Sequence, residues 1–108
     1  MAKFQLQPGE TMVGSGQMSL YLKQCLSRKP FQGNIFVTNQ RVCFKISMMP
    51  GDPDMNLPLG EIKGFSVKKT LFVTQVTIYS KAGEPYPLTG FPAKKLQGWL
   101  RQVGVQEL

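Results

Sequence analysis

Three short patterns contain residue types that could do chemistry, and each of them is incomplete. Cys43 stands between two cationic residues, which favour a thiolate, but the chain has no histidine and no partner base can be identified. The run Gly14-Ser15-Gly16 lacks the further glycine of a dinucleotide loop and the Lys-Ser/Thr of a phosphate-binding loop. Asp52 and Asp54 offer too few ligands for a calcium loop. We therefore predict no enzymatic activity, no metal site and no cofactor.

The cysteine content and the N-terminal residues indicate the compartment. Cys25 and Cys43 are the only cysteines, too few for the disulfide scaffold of a small secreted chain, so we expect two free thiols. The first residues, Met1-Ala2-Lys3-Phe4-Gln5, lack the apolar stretch of a secretory signal. No run approaches the ~20 apolar residues of a membrane span. We expect a cytoplasmic protein, with a peripheral membrane location as an option that its charge leaves open.

The charge balance favours anionic partners. Thirteen Lys and Arg against six Asp and Glu give a net charge of +7 over 108 residues. Such an excess suits acidic lipid headgroups, nucleic acid or an acidic protein surface. The alternative is that the scattered lysines only keep a small domain soluble.

The stretch "GNIFVTNQRVCFKI", residues 33–46, predicts a tight β-hairpin. Two β-rich runs flank Asn39-Gln40, and asparagine tolerates the backbone conformations of a two-residue turn. In the second run Val42, Phe44 and Ile46 share a face, while the residues between them form the opposite one. This alternation predicts one face in the core and one in water.

The remaining segments predict about seven strands followed by one helix in a single domain, residues 1–108, with its core between residues 10 and 103. A kinked strand over 10–24 and a loop over 25–32 precede the hairpin, and an irregular loop over 48–56 follows it. Further strands are predicted over 57–59, 61–69, 71–81 and 85–91. Leu96, Trp99, Leu100 and Val103 then form one helical face, in a helix over about 92–103. Gly98, inside this helix, suggests a position of close packing.

The hairpin and the strands after it resemble the GRAM domain family, and the resemblance covers residues 10–103, nearly the whole chain. That family shows a Gly followed by two alternating apolar residues, a T-N-x-R turn and a Phe-containing strand, then a Pro-containing strand followed by an acidic residue and Ile. The matching residues here are Gly33, Ile35, Val37, Thr38, Asn39, Arg41, Val42, Phe44, Pro58, Leu59, Glu61 and Ile62. The resemblance implies a mainly β, pleckstrin-homology-like barrel of seven strands in two orthogonal antiparallel sheets, capped by one C-terminal α-helix. We expect the T-N-x-R turn to hold the fold, with Arg41 paired to a nearby acid or carbonyl.

The resemblance also implies where a ligand would bind. Pleckstrin-homology-like modules that bind phosphoinositides use basic residues around the loop between strands one and two. The candidate ligand-binding residues are accordingly Lys23, Arg28 and Lys29, and Lys81, in the turn over 81–84, is a further candidate. Arg28 and Lys29 are adjacent, which departs from the Lys/Arg-x-Arg spacing of that pattern.

The loop predicted over 48–56 would lie at the same open end of the barrel as these basic residues. Asp52 and Asp54 would repel a phosphate there. The methionines of that loop could enter a membrane interface or pack underneath it; they are Met48, Met49 and Met55.

The resulting hypothesis is a non-enzymatic docking module for an acidic membrane lipid or a protein partner. Nucleic acid ranks lower, because Phe31 and Tyr79 are the only aromatics near the cations and both are better placed in the core or at its rim. A self-associating adaptor is the other alternative. The strand over 71–81 would then form a homodimer through an exposed edge or through its apolar second face.

Overall fold

Seven β-strands, a single turn of 3₁₀ helix and one α-helix follow one another along the chain. The computed structural model describes residues 5–24, 27–47, 51 and 53–108, with only the backbone of residues 23, 24, 27 and 28. The strands are β1 (Met12–Gln24), β2 (Ser27–Thr38), β3 (Arg41–Ile46), β4 (Met55–Pro58), β5 (Ile62–Lys69), β6 (Thr74–Ser80) and β7 (Pro85–Thr89). The 3₁₀ turn spans Leu59–Glu61, and the helix α1 spans Ala93–Gln102. The mainly β class, the strand number and the terminal helix are as predicted.

The strands form one continuous antiparallel sheet in the order β4-β3-β2-β1-β7-β6-β5. β1 joins two halves of the sheet, β4-β3-β2 on one side and β7-β6-β5 on the other. It pairs with β2 along its whole length but with β7 only at Ser19 and Leu20. The hydrogen bonding thus runs through both halves rather than stopping between two separate sheets. A register shift between Met12 and Gly14 marks the irregularity that glycines in this strand predict.

Several predicted boundaries are wrong, and three of them show the same physical reason. Residues 27–32 belong to β2 and not to a loop, since Ser19 to Gln24 pair with them. Residues 71–73 belong to a turn, and β6 begins at Thr74. The loop predicted over 48–56 ends early, because Met55 and Asn56 already pair in β4. In each case strand ends are decided by which partner the backbone finds, which local propensity does not encode.

The core lies between the folded sheet and α1. Val42, Phe44 and Ile46 are buried as predicted, but the opposite face of β3 is not in water. Arg41 is only 8% exposed and Cys43 is fully buried. The N-terminal segment covers Arg41, whose Nη2 donates to the Gln5 carbonyl at 3.1 Å, and β4 brings Asn56 beside Cys43.

The helix packs as its spacing predicts. Leu96 and Leu100 are fully buried, and Trp99 and Val103 pack at the edge of the core. A Schellman cap ends it: Gly104 has φ +89° and donates to Arg101, while the Val105 amide donates to Leu100 at 2.9 Å.

The expectation that close packing requires Gly98 is wrong. A Cβ built on it would meet nothing within 4 Å. Residue 98 is exposed on the outer side of the helix.

The β6 segment is not an open edge. It lies between β5 and β7 and pairs with both, so the edge pairing considered for 71–81 is not available to it. The end strands are β4 and β5. The chain's own C-terminal residues cover part of β5, where Phe65 donates to Gln106 and Leu108 donates to Phe65.

Candidate functional site

The T-N-x-R turn organises a buried ion pair. The Arg41 guanidinium donates to both oxygens of Glu10, from Nε at 2.8 Å and from Nη2 at 3.1 Å. The Thr38 hydroxyl donates to Glu10 Oε2 at 2.5 Å, and the Gln7 amide donates to Oε1 at 2.7 Å. The hydrogen bonds from Arg41, more than those from Thr38 and Gln7, outweigh burial and lower the pKa of Glu10 to about 2. The expected acid partner of Arg41 is therefore Glu10.

The two central residues of the turn fasten the N-terminal segment to the barrel. The Asn39 side chain accepts from the Thr11 amide at 2.8 Å and donates to the Gly9 carbonyl. The Gln40 side chain donates to the Pro8 carbonyl at 3.1 Å. The motif residues are thus occupied with intramolecular bonds, and they support the fold, as predicted.

The glycine that opens the motif has a packing role. A Cβ on Gly33 would lie 2.1 Å from the Lys45 carbonyl oxygen, so the close approach of β2 and β3 requires a residue without a side chain.

The long β1–β2 hairpin brings three of the four candidate ligand-binding residues together. Lys23 pairs with Arg28 across the two strands, and Leu22 pairs with Lys29. Lys29 is exposed. Arg28 and Lys29 were expected in a loop, but they lie on β2, where strand geometry rather than loop conformation fixes their spacing.

Lys81 lies in the turn between β6 and β7. The antiparallel pairing of Leu20 with Leu88 directs the rest of β1 towards the start of β7, so this turn and the β1–β2 tip lie at the same end. The turn also contains Glu84, whose amide donates to Ser80, and the Lys81 amide donates to the carbonyl of Glu61. Lys81 therefore shares its turn with Glu84 and is joined to Glu61 through the backbone.

The described residues of the β3–β4 connection oppose an anionic ligand less than expected. Asp54 accepts from the Ile46 amide at 2.7 Å and pairs with Lys45 at 3.4 Å, so a cation beside it offsets its charge. Met55 is buried at 3% exposure and packs underneath, which is one of the two alternatives. Met48, Met49 and Asp52 lie outside the described residues.

Cys43 is not an activated nucleophile. Burial raises the pKa of its thiol to about 11, and this effect exceeds the opposing one of the Arg41 charge. The flanking cations therefore fail to favour the thiolate as the sequence suggested. Cys43 is a free thiol, as expected, and Cys25 lies outside the described residues.

An exposed group of apolar side chains lies at the C-terminal end of β7, opposite the turn that contains Lys81. This group was not predicted from the sequence. We name it the apolar tip: Leu71 and Phe72 in the β5–β6 turn, and Phe91 between β7 and α1. Their exposed fractions are 88%, 90% and 106%. The turn contains no Gly, Pro, Asn or Asp, so nothing in its sequence separated it from the strand that follows. The sequence signal that could have indicated this exposed group was the position of two lysine pairs, at 68–69 and 94–95, close to the apolar residues.

Within the described residues, no helix has the length and apolar character needed to cross a bilayer. In the same part of the chain, no three His, Cys, Asp or Glu side chains form a group that could hold a metal ion.

The curved seven-stranded sheet closed by a C-terminal helix is a pleckstrin-homology-like fold. A family model described as "GRAM domain" matches residues 1–93, and the chain belongs to this family. The family supports a binding module for lipid or protein. A comparison with curated proteins found no match.

Solved structures with this fold share little sequence with the chain. The C-terminal domain of an unknown protein from Leishmania infantum has 19% identity and a TM-score of 0.70, over 89% of this chain and 86% of that one. The Vps36 N-terminal PH domain has 20% identity and a TM-score of 0.69, over 92% and 83%. The Slm1 PH domain, solved with D-myo-inositol-4-phosphate, has 15% identity and a TM-score of 0.56, over 86% and 92%. At these identities the likeness concerns the fold alone.

Proposed function

We propose that this protein is a non-catalytic docking module for anionic phospholipid surfaces, and that the β1–β2 hairpin is one of its contacts. The observation that carries the proposal is the strand register, which sets Lys23 opposite Arg28 and places Lys29 next to them. Family membership supports the same class of function, and the inositol phosphate held by the Slm1 PH domain is one ligand of suitable chemistry.

The physical basis is charge attraction at a projecting hairpin. Cations close to an acidic leaflet each contribute about 1 kcal/mol, and they form charge-assisted hydrogen bonds with phosphate oxygens. A hairpin tip can approach a flat surface without distorting the barrel behind it. Lys81 contributes less, because Glu61 and Glu84 are its neighbours.

The aromatic residues favour lipid over nucleic acid. A single strand binds by stacking its bases on exposed rings between cations. Phe31 packs against the core, and the Tyr79 hydroxyl accepts from Ser66 at 3.3 Å. Both rings are already engaged within the fold, which disfavours them as a platform for stacked bases.

The test is vesicle sedimentation with phosphatidylcholine alone and with added phosphatidylserine. Reversing three charges, in Lys23→Glu/Arg28→Glu/Lys29→Glu, is expected to lower affinity for the acidic vesicles on the order of 100-fold. The single variant Lys29→Glu has a matched control in Lys63→Glu, which changes the net charge equally on β5, away from the hairpin in the sheet order.

Two results would reject the proposal. One is a wild-type protein that binds acidic and neutral vesicles equally weakly. The other is a set of hairpin variants that bind like the Lys63→Glu control while circular dichroism shows an intact fold.

A further inference from the structure

The three most exposed large apolar side chains of the described residues lie at one end of the sheet. They are the apolar tip, Leu71, Phe72 and Phe91, and the next most exposed is Leu108 at 54%. Single exposed apolar residues are common on protein surfaces, but a group of three that includes two phenylalanines marks an interaction site.

The β5–β6 turn presents its two apolar residues in a defined geometry. The Thr70 amide donates to the Val73 carbonyl at 2.8 Å, and the Val73 amide donates to the Thr70 hydroxyl at 3.1 Å. These bonds close the turn with Leu71 and Phe72 at its point. Strands on both sides fix its base, since Lys69 pairs with Thr74.

The strand register places Phe91 at the same end. Lys68 pairs with Gln75, and Gln75 pairs in turn with Thr89, so these residues form one row across three strands. Beyond that row lie the β5–β6 turn on one side and Phe91 on the other. The helix α1 begins directly after, which brings Lys94 and Lys95 to this end as well.

The charges around the tip have one sign. Segments 66–74 and 89–95 contain four lysines and no aspartate or glutamate; the lysines are Lys68, Lys69, Lys94 and Lys95. All four are exposed. By contrast, Lys45 and Arg101 pair with Asp54 and Glu107 elsewhere on the protein.

We infer that the apolar tip inserts into an anionic phospholipid bilayer, with the four lysines on the headgroups around it. Apolar side chains that project beyond a cationic rim match the two layers of such a surface, an acyl interior and an anionic boundary. The inference rests on the proposed docking function and gives the protein a second, separate lipid contact, which a flat bilayer would meet in a different orientation of the molecule. The β1–β2 hairpin lies at the other end of β7, which has five residues and is therefore about 15 Å long.

A second copy of the chain fits this surface less well. A two-fold interface brings the same patch of both partners together, so the four lysines of each copy would face those of the other. Like charges across an interface oppose association. A bilayer with acidic headgroups supplies the complementary charge.

Exposed residues allow a test with little risk of unfolding. Phe72→Ser and Leu71→Ser are each expected to lower affinity for phosphatidylserine-containing vesicles by roughly 10-fold or more. Leu6→Ser is the matched control for Leu71→Ser, because Leu6 is an exposed leucine outside the tip. Lys68→Glu is compared with Lys63→Glu at the other end of the same strand.

Insertion also has a spectroscopic signature. The variant Phe72→Trp keeps an apolar ring at the tip, and its fluorescence is expected to be quenched by brominated acyl chains. The wild-type protein, whose single tryptophan is Trp99 in the helix, gives the baseline.

The outcomes separate this inference from the proposed function. Loss of binding in the serine variants of Phe72 and Leu71, with quenching of the indole introduced by Phe72→Trp, supports insertion. If the serine variants bind like wild type while the hairpin charge reversals do not bind, the docking function stands and the insertion is wrong. If the wild-type protein does not bind acidic vesicles, both the docking function and the insertion are wrong. If the tip mutations instead abolish a dimer seen by light scattering, the insertion is wrong.

Discussion

The indole of Trp99 lies directly over Gly14, so that a Cβ built on this glycine would be 2.0 Å from Cε2 of the ring. The helix reaches the sheet at this point because β1 has no side chain there. Gly16 likewise leaves room for Pro92, because a Cβ built on Gly16 would be 2.7 Å from Cγ of that proline. The two glycines of β1 therefore form the seat of the helix, in addition to permitting the irregular start of the strand.

Replacing Gly14 is expected to displace the helix. Gly14→Ala should lower the free energy of unfolding by about 2 kcal/mol or more, because the added methyl group must move a packed ring. Urea denaturation measures the change. Gly60→Ala is the control, since a Cβ there meets nothing within 4 Å. Trp99→Leu in the Gly14→Ala background should recover part of the loss, and additive effects of the two changes would contradict the contact.

Gly98 gives a prediction of the opposite sign. Gly98→Ala should raise the free energy of unfolding by about 1 kcal/mol, because alanine reduces the backbone entropy lost in forming the helix and has free space for its methyl group. Thermal unfolding followed by circular dichroism would detect this as a higher midpoint. A lower midpoint would mean that the outer side of α1 is covered.

The ion pair between Glu10 and Arg41 predicts the acid sensitivity of the fold. The folded-state pKa of Glu10, about 2, lies below the ordinary value of 4.5. Its carboxylate therefore stabilises the protein fully above pH 4.5, and this contribution, about 3 kcal/mol, disappears as the pH falls towards 2.

Urea denaturation at several pH values would measure this dependence. In Glu10→Gln, which leaves Arg41 without its carboxylate, we expect lower stability at neutral pH and a flatter profile below pH 4.5. Glu61→Gln is the control at an exposed position. A Glu10→Gln profile parallel to that of the wild type would contradict the assignment.

The buried thiol predicts a reactivity pattern. In a Cys25→Ser background, Cys43 should react with a thiol reagent only after denaturant unfolds the protein, because it is inaccessible and its pKa is raised to about 11. The reaction rate with Ellman's reagent, with and without urea, measures this. Fast labelling of the native protein would show that the β3–β4 region opens readily.

Much of the fold was predictable from local patterns. The alternation in β3 and the apolar residues at i, i+3, i+4 and i+7 of α1 each reflect a periodicity that secondary structure imposes, and the T-N-x-R turn has the residues of a tight turn. The positions of Asn39 and Gln40 between β2 and β3 follow for the same reason.

The rest depended on contacts between distant residues. Glu10 is separated from Arg41 by 31 positions, and no local signal shows that this acid closes over that strand. The burial of Cys43 depends on β4, and the exposure of Phe72 depends on where β5 and β6 stop pairing. The candidate cations were found by resemblance, whereas the apolar tip has strand-like residues and was read as strand.

In the part of the chain that the structure describes, the outer half of the β1–β2 hairpin pairs with no other strand, although Leu22 packs against the core. Its pairs from Tyr21–Pro30 to Gln24–Ser27 lie beyond the last residues of β1 that pair with β7, and β3 reaches β2 no further along than Gly33. Isolated two-stranded ribbons open at lower free energy than a whole domain. Side chains on the outer face of this arm can therefore change in evolution while the melting temperature of the body stays almost constant.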